Sequence, residues 1–365
     1  MNNKELPNLE NLKIGILGLG YVGLPLAIGF AEAFSKENSS VEIVGFDKSE
    51  KRVDELEKGL DSTEEIESDR LKNIRNIKFT TNPKDLVSVD IFIISVPTPV
   101  DKVKKPDLSA LENATLTVAK VLRDAESYNH KKVIVFESTV YPGVTEEVCQ
   151  PIIENTASLK IGKDFALGYS PESINPGDKN HKLESIVKVV SASDENTLNL
   201  LTKLYSKVAI SGVHKAKSIK VAEAAKVVEN IQRDINIALV NELSIIFHNL
   251  GIDSDDVLEA AATKWNFMKF QPGMVGGHCI GVDPYYLTYK SEVHGYHPEI
   301  ILAGRRINDN MASWIATNAI KRFMSDSNNK VNKIKTIIFG ITYKSNCPDI
   351  RNTKVLDIYK SLEGF

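Results

Sequence analysis

Six residues, Gly18-Leu19-Gly20-Tyr21-Val22-Gly23, limit what this 365-residue chain can become more than any others do. They follow the apolar run Lys13 to Leu19 and open the helical stretch Val22 to Phe34, and a second apolar run, Val41 to Asp47, comes next. That order predicts a strand, a helix and a second, parallel strand. Gly18 permits the tight turn, Gly20 lets a pyrophosphate approach the backbone, and Gly23 lets the helix pack on its strand, with the helix N-terminus facing the anion. The pattern alone is weak, and its position between strand and helix gives it weight. Tyr21 and Val22 join the three glycines as cofactor-binding candidates. Asp47 ends the second strand, where a carboxylate accepts hydrogen bonds from the adenosine ribose and repels a 2′-phosphate, so NAD is expected rather than NADP. Arg52, shortly after, is a cofactor candidate of opposite charge, able to stack on adenine or to accommodate a phosphate.

The alternation continues. Strands are expected at Ile77 to Thr81, Asp90 to Val96, Lys132 to Glu137, Phe165 to Tyr169, Ser185 to Ser191 and Val208 to Val213. Helices are expected near Asn82 to Val87, Ser109 to Leu122, Val144 to Thr156 and Glu195 to Ser206. Continuous apolar strands separated by helices imply a mostly parallel sheet covered on both faces. Ligands of such sheets bind outside the carboxyl ends of the strands, which singles out Thr98 and Thr139. Either hydroxyl could equally serve a turn or cap a helix.

From Ser218 the texture changes. Ser218 to Leu250 lacks Gly and Pro, is rich in Ala and is apolar on several faces, so one long, largely buried helix is expected. Lys226, Asn230, Arg233 and Asn241 interrupt it, and Lys226 with Asn230, four apart, share a face. Such a pair serves either an interhelical hydrogen-bond network or the stabilisation of an oxyanion. A helix at Ser254 to Ala262, a glycine-rich loop at Gln271 to Tyr286 and a helix-rich stretch at Pro298 to Met324 follow. The polar stretch Asp326 to Lys333 reads as a turn, Thr336 to Ile341 as a strand and Thr353 to Leu362 as a helix, the beginning of a second α/β domain. The expected fold is therefore α/β: a parallel-sheet dinucleotide-binding domain (1–213), a central helical domain (214–325) and the start of an incomplete α/β domain (326–365).

The glycine-rich loop carries the thiol Cys279 among four glycines, Gly273, Gly276, Gly277 and Gly281, which would make it flexible enough to close on a substrate. Asp283 lies four residues after the thiol. Cys149, within a helix, reads as a buried apolar residue, and Cys347 as a turn residue. Three cysteines far apart fit neither a disulfide framework nor a CxxC metal site, and a site built from His278, Cys279, His294 and His297 matches no standard zinc spacing, so no metal is expected. Lys+Arg 45 against Asp+Glu 48, net charge -3, offers no broad positive field for a nucleic-acid backbone or an anionic membrane. No apolar run is long enough to span a bilayer, and a cytoplasmic protein without nucleic-acid or membrane partners is expected.

Taken together, GLGYVGLPLA (18–27), FDKSEKR (46–52), VPTPVD (96–101), ESTVYPG (137–143), YSPESINPGD (169–178), AEAAKVVEN (222–230) and GGHCIGVDP (276–284) resemble the UDP-glucose/GDP-mannose dehydrogenase family. TYKSNCPDIRNTK (342–354) resembles the start of that family's third domain. The resemblance covers almost the whole chain in the family's order. It implies a Rossmann-like first domain, NAD as cofactor and four-electron oxidation of a nucleotide-sugar C6 alcohol through a thiohemiacetal and a thioester on Cys279. It further implies Lys226 and Asn230 as oxyanion donors, Asp283 in proton transfer, Thr139 and Glu172 in positioning water and substrate, and a dimer through the long helix. Glu172, Ser173, Lys226, Asn230, Gly276, Lys344 and Arg351 would contact substrate. A lysine beside the thiol favours thiolate.

His278 before the thiol and Val282 in place of the lysine of UDP-glucose enzymes resemble the branch acting on UDP-N-acetylhexosamines, GalNAc or GlcNAc, for surface polysaccharides. Ser173 stands where that branch often has Arg. Family members usually continue beyond the length of this chain, so reduced or absent turnover with retained NAD binding is expected. Three other readings stay open: a UDP-ManNAc or UDP-glucose enzyme, a non-catalytic NAD-binding paralogue, and a two-electron β-hydroxyacid-type dehydrogenase, whose chemistry needs no thiol.

Overall fold

Ile91–Ile94 and Lys132–Phe136 are buried at every position, as strands inside a sheet covered on both faces must be. The computed structural model describes residues 4–37, 39–125, 130–172, 183–326, 334–343 and 349–365. Its residues form two compact units, Met1–Lys226 and Val227–Phe365.

In the first unit the elements are β1 (Lys13–Leu17), α1 (Gly23–Lys36), β2 (Glu42–Phe46), α2 (Glu50–Glu57), α3 (Ser68–Asn73), β3 (Ile77–Thr80), β4 (Ile91–Ile94), α4 (Ser109–Asp124), β5 (Lys132–Phe136), α5 (Gln150–Ala157), β6 (Phe165–Tyr169), β7 (Lys188–Ala192), α6 (Glu195–Tyr205) and β8 (Val213–Lys215). One eight-stranded sheet has the order β3-β2-β1-β4-β5-β6-β7-β8. All pairs are parallel except β6 with β7. The expected mostly parallel α/β fold is therefore present. The register aligns strand ends: Leu17 pairs with Phe46 and with Ile94, Ile94 with Phe136, and Phe136 with Tyr169. The loops after β1, β2, β4, β5 and β6 thus leave from one edge, and the chain reverses its strand order beside β1, where open parallel sheets form a ligand crevice. Beneath that edge, Phe30 and Phe34 of α1 pack with Leu201, Leu204 and Tyr205 of α6 in the apolar core.

In the second unit, α7 (Ile219–Leu250) continues from the first and is followed by α8 (Ser254–Ala261), α9 (Asp283–Val293), α10 (Glu299–Asp326) and α11 (Val355–Glu363). Among the described residues no helix is long and apolar enough to cross a membrane.

Four expectations need correction. The last strand is Val213–Lys215, not Val208 to Val213, because residues 208–212 turn back through Gly212 at φ +118°. The loop expected to reach Tyr286 ends earlier, since Asp283 and Pro284 begin α9, with proline in the first turn where its missing N–H costs nothing. Thr336 to Ile341 is not a strand: it has no ladder partner among the described residues, and Ile337 and Phe339 are 76% and 92% exposed. A single apolar run cannot satisfy its backbone as a strand without a neighbour. Helices α2 and α3 are not expected, because each buries at most three side chains in a short, mostly polar sequence.

Candidate active site

The three glycines of the first loop have three different physical reasons. Gly18 sits at φ +93°, where only glycine is unstrained, and its N–H donates to the Phe46 carbonyl at 2.9 Å. A Cβ on Gly23 would lie 1.9 Å from the Gly18 carbonyl oxygen and 2.3 Å from Ser95 Oγ, so helix α1 can pack this close to β1 only without one. Gly20 is exposed with no atom within 4 Å of where a Cβ would be, which leaves the backbone open to a ligand. Tyr21 and Val22, half-buried, complete the loop at the start of α1.

Asp47 and Arg52 hold the two backbone polar groups of one residue, Leu19. Leu19 N–H donates to Asp47 Oδ2 at 2.9 Å, and the Leu19 carbonyl accepts from Arg52 Nε at 2.8 Å. Arg52 is buried, with its other nitrogens on Ser62, Thr63 and Asp61. A carboxylate at the end of β2 and an open glycine fit the ribose and pyrophosphate of a dinucleotide. Thr98, after β4, donates through its hydroxyl to the Thr139 carbonyl at 2.6 Å, so the two threonines picked out at strand ends are joined directly.

Behind them lies a buried group that the sequence did not reveal. Glu137, 1% exposed, accepts from Lys188 Nζ at 2.8 Å and from the Tyr205 hydroxyl, and Lys188 also donates to the Pro171 carbonyl. Burial, and then the neighbouring Glu137 charge, push the Tyr205 phenol well above its ordinary value, so it stays a donor. This group fixes the loop ends carrying Thr139 and Glu172, whose N–H donates to the Glu137 carbonyl at 3.3 Å. Glu223 on α7, wholly buried, accepts from the N–H groups of Gly143 and Thr145 and closes the other end of the Thr139 loop. Burial raises the Glu223 carboxyl despite those two donors.

In the second unit the thiol loop is held at several points. Cys279 is half-buried, and its carbonyl accepts from Val282 N–H at 3.0 Å and Asp283 N–H at 2.8 Å, the turn that opens α9. The buried Asp283 carboxylate accepts from Asn230 Nδ2 at 2.5 Å. Asn230 and Asp283, two of the expected residues, are thus in contact, and the Asp283 N–H bonds directly to the Cys279 carbonyl. Lys226 is buried one helical turn before Asn230 on α7. Asn241 grips Gly273 both ways, amide to carbonyl and carbonyl to N–H, at 2.9 and 2.8 Å. Gly276 faces the Asn352 carbonyl and Tyr343, and Arg351 pairs with Asp349, which also binds His278 at 2.7 Å. Ser173, Lys344 and Cys347 lie outside the described residues. Cys149 is buried, and burial pushes its thiol up to about 12.

A second buried polar group was also invisible in sequence. Arg305 of α10 binds Asp234 of α7 at 2.6 Å and Asp309 one turn on, Asn308 donates to Asp234 at 2.7 Å and to its carbonyl, and Asn241 donates to Asn308. Tyr285 of α9 and Lys354 before α11 both bond to Asp309. Burial raises the Asp234 carboxyl although Arg305 opposes it. Residues 67 to 74 positions apart meet here, a separation no local pattern records.

The strand order, the glycine loop and Asp47 define a dinucleotide-binding protein of the dehydrogenase type. Comparison with known proteins narrows the class. The family model described as UDP-glucose/GDP-mannose dehydrogenase family, NAD binding domain, matches residues 12–209, and that family's central-domain model matches residues 220–310. The chain is 50% identical over 357 residues to a UDP-N-acetyl-D-glucosamine 6-dehydrogenase of Pseudomonas aeruginosa, covering 98% of this chain and 81% of that protein. It is 52% identical over 355 residues to the protein CapL of Staphylococcus aureus, covering 97% and 80%. A solved structure of a UDP-D-ManNAc dehydrogenase from Pyrococcus horikoshii superposes with TM-score 0.86 at 31% identity, covering 97% of this chain and 81% of that one. The chain belongs to the UDP-glucose/GDP-mannose dehydrogenase family. It is an oxidoreductase whose cofactor is NAD.

Proposed function

We propose that this chain oxidises the C6 hydroxyl of a UDP-N-acetylhexosamine to a carboxylate, for surface-polysaccharide precursors, with UDP-N-acetylglucosamine the first substrate to test. The names of the relatives at about half identity support the sugar class. The observation that carries the chemistry is the Asn230 to Asp283 contact at the turn that holds the half-buried Cys279.

Bound NAD supplies the hydride acceptor for both oxidations. The chain's residues do the rest. Loss of a proton and a hydride turns the C6 alcohol into an aldehyde. Cys279 sulfur bonds to that carbon while its oxygen gains a proton, giving a thiohemiacetal. Loss of the second hydride and the hydroxyl proton leaves a thioester, and water attacks it, the carbon–sulfur bond breaks and the thiolate leaves. Overall one water is consumed and two hydrides and three protons are released. Lys226 and Asn230 stabilise the oxyanions, Asp283 moves protons and activates water, and Thr139 and Glu172 position water and substrate. Gly276, Ser173, Lys344 and Arg351 contact substrate; Gly18, Gly20, Tyr21, Val22, Gly23, Asp47, Arg52, Thr98 and Thr139 hold the cofactor. The chain acts as an NAD-binding domain (1–213), a central domain (214–325) and a start of a UDP-binding domain (326–365).

A cytoplasmic homodimer belongs to the same proposal. Val228, Leu239, Ile246 and Leu250 are 44% to 64% exposed on α7 and, at about 100° per residue, fall on one stripe about 40° wide. Four exposed apolar side chains in one line are what a second helix would cover.

The test measures NADH formed per UDP-N-acetylglucosamine consumed, with UDP-GalNAc, UDP-ManNAc and UDP-glucose in parallel. Two equivalents are expected from an N-acetylhexosamine substrate. One equivalent, or two that persist in Cys279→Ala, would remove the thioester route; NAD binding without turnover of any sugar would favour the non-catalytic reading.

A further inference from the structure

Arg52 is a feature of the dinucleotide site whose charge runs against the expected cofactor. A guanidinium just after the Asp47 carboxylate is what a 2′-phosphate would seek, yet its three nitrogens all find partners inside the protein: Nε the Leu19 carbonyl, one terminal nitrogen Ser62 Oγ at 3.2 Å, the other Asp61 at 2.8 Å and Thr63 at 3.5 Å. The Asp61 side chain is 1% exposed, and the Arg52 side chain 10%. Asp61 is itself held by N–H groups of Thr63, Glu65 and Ile66 at 2.9 to 3.0 Å and by the Thr63 hydroxyl at 2.7 Å. A carboxylate with that many donors is preorganised, and it faces the guanidinium with little water to screen the pair.

We propose that Asp61 is a specificity-determining residue for the dinucleotide: it holds Arg52 against the Leu19 carbonyl and cancels its charge. A 2′-phosphate beside Asp47 then meets a carboxylate and no available guanidinium. The same clamp fixes both backbone polar groups of Leu19, its N–H on Asp47 and its carbonyl on Arg52, so Asp61 also shapes the loop that meets the pyrophosphate. The inference rests on dinucleotide binding by the first unit and is independent of the sugar.

The test measures dissociation constants of NAD and NADP for the full chain by calorimetry, without sugar, in the wild type, Asp61→Asn, Arg52→Gln and the double variant. Asp61→Asn should lower the ratio of the NADP to the NAD constant about tenfold, and the double variant should lose that gain. A fall of less than threefold, or a gain that survives in the double variant, overturns the proposal. Should Asp61→Asn fail to fold by thermal melting, Arg52→Gln decides: both dinucleotides weaken and the ratio stays within threefold if Arg52 is already neutralised. A ratio that rises threefold or more shows Arg52 serving a phosphate in the wild type and overturns the proposal. A wild type that binds neither dinucleotide would refute the cofactor assignment instead.

Discussion

Adding one methyl group at two glycines of the same loop should give opposite signatures. In Gly23→Ala the new Cβ starts 1.9 Å from a backbone carbonyl oxygen, against a floor of about 3 Å for real contacts, so α1 and β1 must separate by roughly 1 Å. Overpacking of this kind costs about 1–3 kcal/mol, offset by up to about 1 kcal/mol of helix propensity, for a net loss near 1–2 kcal/mol. For a domain of this size that is a fall of about 2–8 °C in Tm. In Gly20→Ala the Cβ meets nothing within 4 Å, and the φ is not in the left-handed region, so stability should hold or rise by up to about 1 kcal/mol. That same Cβ stands where a pyrophosphate would approach, and losing one charge-assisted hydrogen bond there weakens NAD at least tenfold, about 1.4 kcal/mol. Differential scanning calorimetry and NAD titration on both variants read the two effects separately. A Gly20→Ala variant that binds NAD like the wild type, or a Gly23→Ala variant that melts with it, would refute this account of the loop.

Iodoacetamide at pH 8 followed by peptide mapping should modify Cys279 and leave Cys149 untouched, since burial keeps the Cys149 thiol protonated; modification of Cys149 in folded protein would contradict its burial. Arg305→Met should cost about 3–5 kcal/mol in urea unfolding of the second unit, because it strands the Asp234 carboxylate in the interior; a loss under about 1 kcal/mol would mean the pair is not buried as described. His278 sits below its ordinary 6.5, because burial and Arg351 outweigh Asp349, and Asp349 sits below 3.8, since donors from Arg351 and His278 overcome burial. Both groups therefore bind fewer protons folded than unfolded, so stability is lost as pH falls, below about 6.5 for His278 and below about 3.8 for Asp349. Hydrogen exchange in residues 349–354, corrected for intrinsic rates, should quicken from pH 7 to pH 5, and the opposite trend would show His278 stabilised as a cation. Gly277→Ala, at φ +82° with its Cβ 2.7 Å from the Tyr343 ring, should speed Cys279 alkylation severalfold, whereas Gly273→Ala, with open space, should not; equal rates would reject the packing argument.

Much of the first unit was legible because parallel strands buried on both faces are nearly continuous apolar runs, as Ile91–Ile94 shows, and because glycine, strand and Asp47 occur in one local order. Helices α2 and α3 were not, since a short surface helix such as α2, with only Arg52, Val53 and Leu56 buried, offers just two apolar residues among many charges; a further local signal was Ser49, whose hydroxyl accepts from Arg52 N–H. Arg52 itself was read for its charge, and the charge is answered by Asp61, nine residues on, a pairing that neither spacing nor composition suggests. The run at Thr336 to Ile341 misled for the converse reason: its residues suit a strand, but strands are properties of pairs. Asn241 was noticed as a polar residue on an apolar helix, and its partners, Gly273 and Asn308, come from two distant segments.

The glycines around Cys279 invite the inference of a flexible loop, and the structure argues otherwise. Asn241 holds Gly273, Asn352 donates to the Gly277 carbonyl at 3.2 Å, Asp349 holds His278, two N–H groups hold the Cys279 carbonyl, and Asn230 holds Asp283. A Cβ on Gly276 would come within 3.0 Å of both the Asn352 carbonyl oxygen and Tyr343. At Gly276 and Gly277 glycine therefore buys closeness of packing and a left-handed turn, not mobility. Asn241, Asn308, Asp234, Arg305 and Asp309 extend the same restraint into α7 and α10, and Asp309 ties it through Lys354 to the segment that covers the loop. On the proposed thioester route the thiol holds one carbon through two oxidations, which calls for a fixed position more than a mobile one, because reacting atoms displaced by about 1 Å lose much of the advantage of orientation. Buried polar side chains, costly wherever a partner is missing, are what make that position unique, since apolar packing alone would tolerate several.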